Sequence, residues 1–144
     1  MEQDQYYFTL DSDEMAKGFF KHDTTPSHVW CKLWKPLSLK GKWELGLVTC
    51  LLETTEQVPL IQLVQTPIIN HVMVVEGKTF LPTLMHLVKM EDNQSKWTFD
   101  PPTYVPVNQS FIETLEVYLT DHKGEPSVAQ GRSVYVLHLR KCKD

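Results

Sequence analysis

Phe111-Ile-Glu-Thr-Leu-Glu-Val-Tyr-Leu-Thr120 and Arg132-Ser-Val-Tyr-Val-Leu-His-Leu-Arg140 change character residue by residue. In the first, Phe111, Leu115, Val117 and Leu119 fall on one side, and Ile112, Thr114, Glu116 and Tyr118 on the other. In the second, Tyr135, Leu137 and Leu139 oppose Val134, Val136 and His138. A period of two belongs to a strand with one face turned to a core. Asp121-His-Lys-Gly124 supplies a turn after the first of them.

Outward from this pair the same signal recurs. Tyr6-Tyr-Phe-Thr-Leu10 forms a first strand ending at Asp11-Ser-Asp-Glu14, and Met15 to Lys21 reads as one helical turn or a loop. From Ser27 to Trp34, Val29, Cys31 and Leu33 alternate with His28, Trp30, Lys32 and Trp34. Pro36, which has no amide for a ladder bond, is expected to stop that strand. Leu37 to Gly41 reads as a turn into a longer strand, Lys42 to Glu53, in which Gly46 marks a bulge or a close backbone approach. Leu60 to Val64, Ile68 to Val75, Thr79 to Leu81 and Lys96 to Phe99 favour further strands, with a turn at Glu76-Gly77-Lys78 and a loop at Glu91 to Ser95; Thr83 to Met90 fits both a strand and a short buried helix, and strand is preferred for its surroundings. The prolines of Asp100 to Pro106 confine that stretch to an edge or the surface. No segment of a dozen residues holds a helical period between caps. The chain is thus expected to be all-β, an antiparallel, jelly-roll-like β-sandwich of seven to nine short strands in a single domain, 1–144.

Composition agrees with a packed globular chain. Of the 144 residues 42% are hydrophobic and 22% charged, so neither a disordered nor a fibrous chain is indicated. The formal charge of −4 sets 18 acidic against 14 basic side chains. Local positive charge gathers at Lys32, Lys35, Lys40 and Lys42 and at Arg140, Lys141 and Lys143, which is too little of a stripe for a dedicated nucleic-acid binder. Met1-Glu-Gln-Asp-Gln5 leads into no apolar signal segment, and no apolar run reaches membrane length. A soluble, intracellular protein is expected. Cys31, Cys50 and Cys142 are widely spaced and form no metal pattern, and reduced thiols are expected although one disulfide is open. Two glycosylation triplets, at Asn93 and Asn108, are read as coincidental.

Nothing in the sequence points to catalysis. None of the six histidines, His22, His28, His71, His86, His122 and His138, sits in a zinc-like spacing, and no nucleophile, phosphate-loop or metalloprotease string occurs. A histidine such as His86 or His138 serves as a catalytic group only if a carboxylate and a third polar residue gather around it. The expectation is a non-enzymatic protein with no cofactor and no metal. Aromatic residues are the stronger candidates for contact. If the strand face of Trp30, Lys32 and Trp34 points outward, it is an amphipathic patch, with Tyr104 as a further interface candidate. If it points inward, the tryptophans are core, the usual place of large aromatics. Trp43 is assigned to the core.

Two parts of the chain resemble a known group. Tyr7-Phe-Thr-Leu-Asp-Ser12, Thr25-Pro-Ser27, Lys32-Leu-Trp-Lys-Pro-Leu37 and Leu39-Lys-Gly-Lys-Trp-Glu-Leu-Gly-Leu47 are similar to the opening of small proteins encoded by Polinton/Maverick elements and related double-stranded DNA viruses. That opening carries an F-x-T-L-x-S strand followed by L-x-G-x-W-E-V-G-L. Phe111 to Asp121, Gly124 and Val134-Tyr-Val-Leu-His-Leu139 resemble the closing strands of the same group. The resemblance covers about half the chain, and Gly41-Lys-Trp-Glu-Leu-Gly-Leu47 is its most specific part. It implies a structural β-sandwich, a minor capsid or penton-like virion component or a host-retained copy, that packs on copies of itself or on other shell proteins. The second reading, from the aromatic set alone, is a module that binds a protein, peptide or glycan.

Overall fold

The structure is a computed structural model and describes residues 3–18, 22–53, 61–69, 73–75, 78–80, 82–88, 94–121, 125–126 and 131–143. The expected turns at Glu76-Gly77 and His122 to Gly124, His71, the start of the Glu91 to Ser95 loop, and the ends of the strands expected at Leu60, Leu81 and Met90 lie outside the described residues.

In chain order the elements are β1 (Gln5–Asp11), α1 (Ser12–Met15), β2 (His28–Ser38), β3 (Trp43–Leu52), β4 (Ile61–Gln65), β5 (Met73–Val75), β6 (Lys78–Phe80), β7 (Thr83–Val88), β8 (Lys96–Thr98), β9 (Tyr104–Pro106), β10 (Phe111–Asp121) and β11 (Ser133–Lys141). One sheet runs β1-β11-β3-β8, with β9 also on β3; the other runs β2-β10-β4-β7; β5 and β6 form a separate ribbon. Every pairing is antiparallel. Among the described residues the two sheets hold nine strands, the upper end of the expected range, and the ribbon adds two more.

β8 and β9 pair with the two ends of β3 and act as one interrupted edge strand. Counted that way, the eight strands run 1-8-3-6 in one sheet and 2-7-4-5 in the other. Each successive strand therefore crosses between sheets or returns beside an earlier one, as in the double Greek key of a jelly roll.

The inward residues of both sheets meet in one cluster. Leu10, Leu45, Leu47, Tyr135, Leu137 and Leu139 come from the first sheet, and Val29, Leu84, Leu87, Leu115, Val117 and Leu119 from the second. Trp43 and Trp97 close its ends with their indole N–H groups on the carbonyls of Lys40 and Val88, both at 3.0 Å. A buried indole keeps its polar edge satisfied in this way.

Three expectations are corrected by irregular pairing. β2 does not stop at Pro36 but runs to Ser38, with Leu39 buried behind it. Its register passes from Lys32↔Thr114 to Leu37↔Ile112, so four residues, Leu33 to Pro36, face Glu113 alone. The proline lies in that bulge, where no ladder donor is required. The same irregularity exchanges Phe111 and Ile112: Ile112 is buried at 1% and Phe111 is 53% exposed, because the bulge shifts the period of two by one residue. In β3 the extra residue is Val48, between Leu47↔Leu137 and Thr49↔Val136, rather than Gly46. Gly46 instead lies under a side chain: a Cβ there would stand 3.0 Å from the Tyr104 ring and 3.1 Å from Pro102 Cβ.

Candidate binding surfaces

The outer face of the β2/β10 sheet carries Trp30 and Lys32, two of the four predicted contact residues. His28, Trp30 and Lys32 on β2 stand opposite Tyr118, Glu116 and Thr114 on β10. The His28 ring stacks on Tyr118 at 3.8 Å and tilts against Trp30 at 4.9 Å. Glu116 Oε1 accepts from the Tyr118 hydroxyl at 2.6 Å and lies 2.8 Å from His28 Nε2. Burial, reinforced by the Glu116 carboxylate, pushes the Tyr118 phenol up to about 12. It therefore stays protonated as a donor across the ordinary pH range. A carboxylate that accepts from two rings fixes all three side chains, so this face is ordered rather than adaptable.

Trp34 stands apart from that platform. It lies in the β2 bulge and is 100% exposed, beside the exposed Lys35 and Pro36. β2 is an edge strand, paired with β10 on one side. A bulge, a lysine and a proline on an edge strand are devices that discourage indiscriminate pairing. A fully exposed tryptophan at the same place is a costly exception in a chain whose other three tryptophans are wholly or partly covered.

Tyr104, the fourth predicted residue, joins neither the platform nor Trp34. It sits on β9, on the outer face of the opposite sheet. There its hydroxyl lies 2.7 Å from His138 Nδ1, and its ring meets the imidazole edge-on. His138 Nε2 lies 2.9 Å from Gln5 Oε1, and the Tyr7 ring stacks over the imidazole at 4.2 Å. Arg140 caps the Tyr104 ring at 3.5 Å and pairs with Glu44 at 2.7 Å. Burial, helped by the Arg140 charge, lowers the His138 pKa. His138 is 6% exposed and held between Tyr104 and Gln5, so the group forms a cross-strand tie. His86 is exposed on β7.

Sequence reasoning missed Glu116 and Tyr118 as partners of His28. They fall at i and i+2 on one strand face, a detectable signal, but the cross-strand register that brings His28 to them was not legible.

All three cysteines are free thiols, and burial raises the pKa of each; Cys50 is fully enclosed. Asn108 donates its amide to the Pro67 and Ile69 carbonyls at 3.4 and 3.1 Å. Among the described residues no group of histidine, cysteine and carboxylate ligands converges on a metal position, and no helix is long and apolar enough to cross a membrane.

The strand order defines the class of the protein, an antiparallel jelly-roll sandwich. The chain matches no family model and no curated protein sequence.

Proposed function

We propose that this chain is a non-enzymatic assembly protein, a shell component of the capsid type, that packs on neighbouring shell proteins through the β2 edge with Trp34 as its anchor. The observation that carries this reading is Trp34, fully exposed in a bulge on an edge strand. Tryptophan is among the residues most enriched at binding hot spots, where a large apolar side chain enters a pocket of the partner. The jelly-roll strand order supports it, since shell proteins use this architecture, although lectins and cupins use it as well. The ordered His28, Trp30 and Tyr118 platform beside the edge favours a second reading, a module binding a protein, peptide or glycan on the same sheet face.

Light scattering of the purified chain across concentration, beside the Trp34→Ala variant, tests the proposal. A defined oligomer lost in the variant supports assembly. An unchanged oligomer rejects Trp34 as anchor, and a monomer that captures a ligand through the platform shifts the reading to the binding module.

A further inference from the structure

Lys40 and Lys42 of one positive stretch and Arg140, Lys141 and Lys143 of the other, far apart in sequence, are brought to one end of the sandwich, while Lys32 stays mid-strand opposite Thr114. β3 and β11 pair so that Trp43 faces Lys141, and the Cys142 amide donates to the Lys42 carbonyl at 2.8 Å. Gly41, at φ 86°, turns the chain between Lys40 and Lys42, with the Lys141 side chain lying against it. Lys40, Lys42, Arg140, Lys141 and Lys143 thus share this end, where the nearby described carboxylates are Asp4, the Arg140-bound Glu44 and, on β10 towards the Ser38 end of β2, Glu113. A cleft of about 210 Å³ opens there, lined by Lys40 and Lys141 with Ser38, Gln3, Asp4, Tyr6 and Trp43.

The strands carry the chain to the opposite pole. β1 runs from Gln5, facing Arg140, to Asp11, facing Val134. At that far end lie Asp11, Asp13, Glu14, Glu53, Asp121 and Glu125, against Lys17, Lys96 and Arg132 among the described residues. Arg132 is itself committed to Asp11, at 2.6 Å, and to Glu53. Asp13 and Glu14 are exposed on α1 at this corner.

We infer that the molecule is electrostatically bipolar along its strands and that the lysine end docks the acidic α1 corner of a second copy, head to tail. The inference rests on the assembly reading and names the partner and geometry for it. Complementary poles at opposite ends of one chain make a heterologous contact, which repeats into a ring or an open row rather than closing as a two-fold dimer. The cleft is open to an acidic side chain between Lys40 and Lys141, and Asp13 and Glu14 are exposed at the α1 corner. Charge pairing of this kind steers and orients association and weakens with salt.

The test is sedimentation of the full chain at low and high salt, with Lys141→Glu/Lys143→Glu and Asp13→Lys/Glu14→Lys as variants at exposed positions. Self-association at low salt that each variant weakens by about tenfold or more, and that mixing the two variants restores, is the expected result. Restoration on mixing also shows that both variants are folded. A wild-type chain that stays monomeric at low salt, association indifferent to both reversals, or a lysine end that binds a single-stranded oligonucleotide without self-association would overturn it. If association ignores the reversals but is lost in Trp34→Ala, the head-to-tail contact fails while the assembly proposal stands; the reverse pattern rejects the Trp34 anchor alone.

Discussion

The phenol of Tyr104 and Nδ1 of His138 lie 2.7 Å apart, joining edge strand β9 to β11 across the intervening β3. Gln5 Oε1 can only accept, so the proton of the neutral ring resides on Nε2 and Nδ1 accepts from Tyr104. The tie spans β1, β11 and β9 on one sheet face, with Arg140 and Glu44 at its rim.

Acidification should loosen this tie. His138 titrates lower in the folded chain than the ordinary value of 6.5, so the unfolded chain binds its proton first. The contribution is therefore complete above about pH 6.5 and is lost as pH falls through the lowered folded value. Urea midpoints measured from pH 7.5 downward should fall, and His138→Gln should flatten that slope. An identical pH profile in the variant would rule out His138 as a source of the dependence.

Gly46→Ala should destabilise the sandwich by about 1–3 kcal/mol, because the new methyl meets both the Tyr104 ring and Pro102. Displacing Tyr104 also costs the His138 bond, so the effects of Gly46→Ala and Tyr104→Phe should be less than additive. A double-mutant cycle in denaturant checks this coupling.

Asp11 serves two partners. Its Oδ1 accepts from the Asp13 amide at 3.0 Å at the start of α1, and both oxygens accept from Arg132. The Arg132 guanidinium holds its carboxyl below the usual 3.8. Its stabilising contribution is therefore present above pH 3.8 and lost as pH falls further. Asp11→Ala should cost about 1–3 kcal/mol at pH 7, and the deficit should shrink at low pH. A constant deficit from pH 7 to pH 3 would contradict the ionic assignment.

Leu119→Ala and Trp34→Ala should behave oppositely. Leu119 is wholly enclosed, so its truncation opens a core cavity and should cost about 2–5 kcal/mol. Trp34 is wholly exposed, so its removal should change stability by no more than about 0.5 kcal/mol. Thermal melts of the two variants decide, and a large loss in Trp34→Ala would mean that the indole packs against the chain.

Alternation along β10 and β11 and the first half of β2 was enough to specify strands and a two-sided sandwich, since a half-buried strand needs its apolar residues at every second position. The same pattern set Tyr135, Leu137 and Leu139 apart from Val134, Val136 and His138, and the structure turns the former set inward, while the prolines marked Asp100 to Pro106 as edge or surface material. Local signals lost their hold at the β2/β10 bulge: periodicity reversed Phe111 and Ile112, and the proline rule stopped β2 at Pro36, because an irregular pairing shifts which side chains face the core and leaves places where no ladder donor is required.

The sequence by itself determined an all-β chain and the residues that make its strands, because local hydrophobic period and turn chemistry act over a few neighbouring residues. Tertiary structure alone decided strand order, which tryptophan is exposed, the pairing of Tyr104 with His138 and the gathering of lysines at one end. These depend on contacts between residues as distant as Gln5 and His138. Register and sheet packing, not local composition, bring such residues together.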